Sequence, residues 1–201
     1  VLRERSEARH SLFKRGTAVV RLQVGEAGAS AEALTHAALK GELDRAAQFI
    51  TVDQHGTIKP ARPPQDVVAD ILSLPGTETG LPNLASILGC PTYLKDGRLL
   101  ADDGYHSLSG LYLSLNGLSN VHAHMPLYEA RNLLLSDLLG DFPFAEESSR
   151  AHTIAAMLLP FVRELIGGPT PLHLVDAPAR GTGKGLLADI IAGIHLGSAA
   201  Y

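Results

Sequence analysis

Short apolar runs separated by turn sequences mark the first half of the chain. The β-branched run Thr17–Val24 predicts a strand, and Phe49–Val52 predicts a second strand that ends at the turn Asp53–Gly56. Between these strands, Ser30 is placed to cap a helix over Ala31–Phe49. The pattern is typical of an α+β segment.

The next stretch changes from helical to turn-rich. Apolar pairs four residues apart predict a short helix over Asp66–Leu72, which follows two prolines. An Asp-Gly pair between apolar segments in Tyr93–Leu100 predicts a hairpin. We therefore expect an accessory segment over residues 1–75 and a small β-rich subdomain, which ends in a buried leucine-rich helix over Leu127–Leu139, over residues 76–145.

The last part of the chain alternates helix, strand and helix. Apolar positions with a 3.6-residue period predict an amphipathic helix over Ser149–Ile166, kinked at Pro160. The apolar run Pro171–Asp176 predicts a buried parallel strand, and Leu186–Ala192 has helical spacing. Residues 146–201 therefore read as the start of an α/β nucleotide-binding domain.

The loop between that strand and that helix carries the clearest chemical signal. Two glycines allow backbone N–H groups to turn inward around an anion, the helix adds its positive end, and a lysine reaches the β- and γ-phosphates of a nucleotide. The alternative without a binding function is an ordinary glycine turn between the strand and the helix. The predicted nucleotide-binding residues are Pro178, Ala179, Arg180, Gly181, Thr182, Gly183, Lys184 and Gly185.

Two positions depart from the pattern G-x-x-x-x-G-K-[ST]. Pro178 replaces the first glycine, and Gly185 replaces the hydroxyl residue that ligates Mg²⁺. ATP and Mg²⁺ are the expected cofactors, but the Mg²⁺ ligand stays unassigned. Arg180 could contact phosphate or a neighbouring subunit.

Other polar groups give weaker signals. His122 and His124 would share one face of a strand, as two zinc ligands do, but no further ligand cluster supports them, and a solvated loop is the default. Asp102 and Asp103 could hold a cation, although adjacent acids before a glycine more often form a turn. We predict no metal site from these residues.

Net charge, cysteine content and the lengths of the apolar runs limit the classes of function that the chain can have. A formal net charge of -4 argues against nucleic-acid binding over the whole surface. The first residues of the chain contain an excess of arginine and lysine, which could contact nucleic acid at a local site or could only form a solvated surface. These residues are Arg3, Arg5, Arg9, Lys14, Arg15 and Arg21. One cysteine and the lack of a membrane-length apolar run suggest a cytoplasmic protein with no membrane contact.

Several segments together resemble ATP-binding, helicase-like or primase-associated proteins of bacterial phages, plasmids and integrated elements. Within residues 60–195, the matching segments are Pro82–Leu84, Pro91 with Asp96–Gly97, Gly104–Tyr105, Asp141–Phe144 and Asp176–Lys184. The chain departs from that family at His106, where an aspartate is usual, and at Gly185.

The resemblance implies an ATP hydrolase that drives DNA replication in a mobile element, with DNA as its track and a ring of identical subunits. The acids and arginine that complete catalysis would follow Tyr201, so we expect a fragment that is inactive alone. A non-catalytic nucleotide-sensing module is one alternative. A nucleoside monophosphate kinase-like enzyme is another, since some of these kinases also carry glycine after the lysine.

Overall fold

The computed structural model describes residues 11–26, 28–115, 125–179 and 181–196, which form a mixed α/β structure with small sheets. Its strands are β1 (Leu12–Arg15), β2 (Ala18–Gly25), β3 (Gly28–Ala33), β4 (Phe49–Val52), β5 (Ile58–Ala61), β6 (Ser86–Leu88), β7 (Thr92–Tyr93), β8 (Leu99–Leu100), β9 (Gly104–His106) and β10 (Leu111–Leu113). Its α-helices are α1 (His36–Ala46), α2 (Gln65–Ser73), α3 (Gly76–Thr79), α4 (Leu127–Asn132), α5 (Glu147–Val162) and α6 (Lys184–Leu196).

The strands form four small sheets within the described ranges, in the orders β1–β2–β3, β6–β10–β9, β4–β5 and β7–β8. The chain divides into two compact units: residues 1–87 with 104–112, and residues 88–103 with 113–201. The domain boundaries predicted after residues 75 and 145 stay predictions. The broad α/β class is confirmed.

The first unit is built on an antiparallel sheet that is covered on both faces. Neighbouring residues of β1 point to opposite sides, so Leu12 joins a cluster with α1 and α2, while Phe13 joins a second cluster that includes Leu84. The backbone N–H of Lys14 donates to Pro82 O at 2.9 Å, and Lys14 O accepts from the Leu84 N–H at 2.8 Å. Strand β1 is therefore paired along both edges.

The helix predicted over Ala31–Phe49 is wrong in its first turns. Residues Gly28–Ala33 form β3 instead, which pairs with β2, and Gly28 has a positive φ of 107°. The helix begins at His36 because Thr35 caps it, with its hydroxyl accepting from the Ala38 N–H at 3.2 Å. Ladder pairing with β2 outweighed the helical composition of this segment.

Three other predictions in this unit are confirmed. A strand covers Ala18–Gly25, another covers Phe49–Val52, and α2 covers Gln65–Ser73. The predicted turn after β4 is closed by the Asp53 carboxylate, which accepts from the backbone N–H groups of His55 and Thr57 at 2.9 Å each.

The second unit begins with the predicted hairpin. Strands β7 and β8 are antiparallel, and the turn between them contains Gly97 with a φ of 84°. The leucine-rich helix is present as α4 followed by a π-helix over Leu133–Leu138, but it is not buried as predicted: Leu127 is 85 % exposed and Leu133 is 50 % exposed. Leu139, directly after it, is fully buried.

Helix α5 matches the predicted amphipathic helix and contains Pro160 near its end. A 3-10 helix over Arg163–Leu165 follows it. The buried Thr92 hydroxyl donates to Phe161 O at 3.1 Å and lies 3.4 Å from Pro160 O. These carbonyls lie in the last turn, where a helix has no backbone donors of its own, so Thr92 serves as a cap from the hairpin.

Candidate phosphate-binding loop

The segment that leads into the loop is not a strand of any sheet in the described part of the chain. Residues 171–177 make no ladder with another strand, contrary to the prediction for Pro171–Asp176. Leu172 is 94 % exposed and Leu174 is 86 % exposed. An apolar run becomes a buried strand only beside pairing strands, and none of the described strands lies along this segment.

The helix after the loop is confirmed and begins at Lys184. Its first turn is closed by the Leu187 N–H, which donates to Gly183 O at 2.9 Å. Leu187 is buried in a cluster with Leu139 and Met157 of α5. This packing fixes the N-terminal end of α6, and with it the loop, against the body of the second unit.

Two glycines give the loop a backbone that other residues rarely adopt. Gly181 has a φ of 79° and Gly183 has a φ of 84°. A Cβ added to Gly183 would lie 3.6 Å from Cε1 of Phe142, whereas a Cβ on Gly181 would meet nothing within 4 Å. Left-handed residues of this kind turn successive N–H groups toward one side, as an anion-binding nest requires.

The lysine folds back onto the loop. Lys184 Nζ donates to Ala177 O at 3.0 Å, and the Thr182 hydroxyl donates to Ala179 O at 3.2 Å. Ahead of the loop, the Asp176 carboxylate accepts from the Ala177 N–H at 2.8 Å. The loop is thus closed by its own polar groups, with the Lys184 ammonium held at the Ala177 carbonyl.

A cavity of about 590 Å³ opens beside this loop, entirely within the second unit. Thr182, Gly183 and Lys184 of the loop contribute to its lining. The other walls are the segments Phe142–Ala145 and Leu172–Pro178 and one face of α5. Its volume falls in the range of small-molecule sites, and it places the lysine in a concave setting.

Sequence reasoning missed two features of this cavity. His173 lies in the apolar run that predicts a strand, yet it lines the cavity. Phe142 and Phe144 belong to a segment that interrupts the helical pattern and carries part of the family resemblance, yet both line the cavity as well. No local pattern could have found them, since the contacts join segments about 30 and 40 residues apart in the chain.

The other predicted site residues lie elsewhere. Arg180, His122 and His124 are outside the described residues. Asp103 accepts from the Leu115 backbone N–H at 2.6 Å, twelve residues further along the chain, so this bond joins two separate segments and does not close a local turn. Among the described residues, no group of three His, Cys, Asp or Glu side chains could hold a metal ion.

The basic-leaning start is only partly described, and its described members do not form one exposed cationic surface. Lys14 is buried, with Nζ 3.4 Å from Leu72 O. Arg21 pairs with Glu42 at 2.8 Å. Arg3, Arg5 and Arg9 lie outside the described residues.

Within the described ranges, no helix has the length and apolar character needed to cross a membrane. Comparison with known proteins gives no match: no family model, no curated protein and no solved structure matches the chain.

Proposed function

We propose that the chain binds ATP through the loop Pro178–Gly185. The observation that carries this proposal is the combination at one point of Gly181 and Gly183 in left-handed conformations, the start of α6, and the Lys184 ammonium. Backbone N–H groups, a helix N-terminus and a lysine are the three donors that a polyphosphate recruits. The adjoining cavity supplies room for the rest of the nucleotide.

The contact between Lys184 Nζ and Ala177 O supports the proposal chemically. A backbone carbonyl is a neutral acceptor, so a phosphate oxygen offers the ammonium a stronger, charge-assisted partner. Binding of the triphosphate then exchanges one hydrogen bond for another and leaves no buried ammonium without a partner. Mg²⁺ would accompany ATP, and because Gly185 offers no hydroxyl, its remaining ligands would be phosphate oxygens and water.

We further propose that this loop serves a DNA-replication-type ATPase of a mobile element, working as a ring of subunits. The resemblance of Asp176–Lys184 and the segments before it supports this role. ATP turnover by the complete gene product, measured with and without single-stranded DNA, tests it: stimulation by DNA supports a motor, and phosphate transfer to a nucleoside monophosphate would instead support a kinase.

Replacement of the lysine tests the binding proposal directly. We expect Lys184→Ala to weaken ATP binding by about 10- to 100-fold, since a charge-assisted hydrogen bond contributes about 1.5–3 kcal/mol. Isothermal titration of the chain with Mg·ATP measures the dissociation constant.

Lys95→Ala is the matched control, because Lys95 is an exposed residue in the β7–β8 turn and its loss changes the net charge equally. Equal ATP affinities of Lys184→Ala, Lys95→Ala and the unaltered chain would rule out Lys184 as the phosphate ligand.

A non-catalytic nucleotide sensor is the second candidate. Gly185 favours it, because loss of the metal-ligating hydroxyl weakens Mg²⁺ positioning more than it weakens phosphate binding. Tight ATP binding by the complete gene product without measurable turnover, in the presence or absence of DNA, would select this candidate over the motor.

A further inference from the structure

The left-handed conformation of Gly183 in the phosphate loop needs a physical cause outside the residue itself. Gly183 has a φ of 84°, but glycine adopts positive and negative φ values about equally readily, so its own chemistry does not hold it there. The hydrogen bond from the Leu187 N–H at 2.9 Å fixes only the Gly183 carbonyl. Any further restraint on Gly183 comes from the residues that pack against it.

The ring of Phe142 packs against Gly183 on the side where a side chain would project. A Cβ added to Gly183 would lie 3.6 Å from Phe142 Cε1 and 4.0 Å from Phe142 Cδ1. Apart from the chain neighbours of Gly183, no other described residue lies within 4 Å of that point. A Cβ added to Gly181 would meet nothing within the same distance of 4 Å. Of the two left-handed glycines, Gly183 is therefore the one against which a described side chain packs in this way.

Phe142 is itself held in place by its backbone and by its packing. Its N–H donates to Leu139 O at 3.2 Å, and its carbonyl accepts from the Phe144 N–H at 2.8 Å. Its side chain packs against the cluster of Leu139, Met157 and Leu187. Because Leu187 belongs to the first turn of α6, Phe142 is anchored to the same helix that begins at the loop.

We propose that Phe142 is a positioning residue of the phosphate loop, whose ring fixes Gly183 in its left-handed conformation before a ligand arrives. The inference rests on the proposed binding of ATP, and it adds how the site is made ready for phosphate. A residue that is already fixed loses little further backbone entropy when the ligand binds, so the affinity is higher. Phe142 acts through Gly183, and no contact between its ring and the nucleotide is needed.

The backbone mobility of Gly183 without ligand tests this inference, because contacts with a nucleotide cannot contribute to it. We expect the ¹⁵N order parameter of the Gly183 amide to be about 0.85 in the unaltered chain and below about 0.6 in Phe142→Leu. Leucine keeps an apolar side chain against the cluster but lacks the Cε1 atom that lies nearest Gly183. Phe142→Tyr keeps that atom and should retain the order at Gly183. The order parameter of Gly181 should be the same in all three chains.

Ile154→Ala is the matched control for a loss of packing. Ile154 of α5 packs against the same cluster as Phe142 but does not line the cavity. Urea unfolding of Ile154→Ala and Phe142→Leu measures the stability that each variant loses. We expect the order parameter of Gly183 in Ile154→Ala to stay at the value of the unaltered chain, whatever stability this variant loses.

The affinity for Mg·ATP, measured by isothermal titration, is the second readout. We expect Phe142→Leu to weaken binding by about five- to thirtyfold, which corresponds to the cost of about 1–2 kcal/mol for fixing the backbone of one residue. Ile154→Ala should leave the affinity for ATP unchanged, because it does not alter the restraint on Gly183.

The outcomes separate this inference from the proposed function. An unchanged order parameter of Gly183 in Phe142→Leu, or an affinity loss no larger than that in Ile154→Ala, would overturn the inference and leave phosphate binding by the loop intact. Equal losses of order at Gly183 in both variants would also overturn it, because a general loss of packing would then explain them. If the unaltered chain does not bind ATP, the proposed function is wrong, while the order parameters still decide whether Phe142 fixes Gly183.

Discussion

Gly185 is the residue at which this loop departs most from a complete Mg·ATP site, and the structure has room for the missing group. A Cβ added at this position would meet nothing within 4 Å. The position lies in the first turn of α6, directly after Lys184. The Cβ of a serine here would therefore meet no neighbour, and under the proposed binding of Mg·ATP its hydroxyl is the group that would ligate the metal.

We expect Gly185→Ser to make ATP binding more dependent on Mg²⁺, with an affinity gain of about threefold to tenfold in Mg²⁺ and none in a chelator. The gain corresponds to about 0.6–1.4 kcal/mol, the scale of one added hydrogen-bonding ligand. Titration with ATP in Mg²⁺ and in EDTA measures it.

Gly185→Ala is the control, since it adds a Cβ without a hydroxyl; its larger gain in helix propensity affects stability but not the dependence on Mg²⁺. If serine and alanine variants show the same Mg²⁺ dependence, the hydroxyl does not reach the metal.

At the scale of elements, Thr92 joins the β7–β8 hairpin to the end of α5. Its hydroxyl is buried and donates to the Phe161 carbonyl, which lies in the last turn of α5. We expect Thr92→Val to lower the free energy of unfolding by about 1–2 kcal/mol, because the carbonyl is left without its donor. Urea unfolding monitored by circular dichroism measures the change.

Thr51→Val provides the comparison, as Thr51 is exposed on β4 and β-branched residues suit strands equally well. A loss of stability of the same size in both variants would contradict a capping role for Thr92.

Elements with strong local signals could be predicted, and those decided by pairing could not. The Asp96–Gly97 turn and the proline-led helix α2 follow from local chemistry, and both are present. Strand β3 was missed because Gly28–Ala33 has no strand-like composition, and only its ladder with β2 defines it. The reverse error occurred at Pro171–Asp176, whose composition is strand-like but which has no ladder partner among the described residues.

The residues of the candidate site also fall into two groups, those that a local sequence pattern predicts and those that only the fold brings together. Gly181, Gly183 and Lys184 lie within one short stretch of the sequence, so their spacing alone predicts the loop, and both glycines have left-handed conformations. Phe142 and His173 reach the same cavity from separate segments. That convergence depends on how α5 and α6 pack, which no single-sequence pattern encodes.

At the scale of the whole molecule, we expect acid to lower the free energy of unfolding of the first unit, because the Glu42 carboxylate becomes protonated. Burial acts to raise the pKa of Glu42, but hydrogen bonds and charge from Arg45 and Arg21 outweigh it and hold the pKa below its ordinary value of 4.5. A carboxyl with a depressed pKa in the folded state stabilises the fold above its unfolded pKa, and this contribution is lost as the pH falls through the folded value.

We therefore expect the stability of the chain to decrease as the pH falls below about 4.5, and Glu42→Gln to reduce that decrease. Thermal unfolding between neutral pH and pH 3 measures the dependence. Glu78→Gln, at an exposed position in α3, should leave the pH profile unchanged. A profile in Glu42→Gln that matches the unaltered chain would exclude this carboxylate as a source of the acid sensitivity.

The exposure of Leu172 and Leu174, in the segment before the loop, has a consequence for the free energy of association. Leu172 and Leu174 are almost entirely in water. Covering two leucine side chains releases about 3–6 kcal/mol, which converts to a factor of about 10² to 10⁴ in an association constant. Any chain that pairs with this segment as an added strand, and so covers both leucines, would gain this free energy on binding. Because the same segment lines the cavity, an association that displaced this segment would change the affinity of the cavity for its ligand, and the ligand would then change the affinity of the association by the same factor.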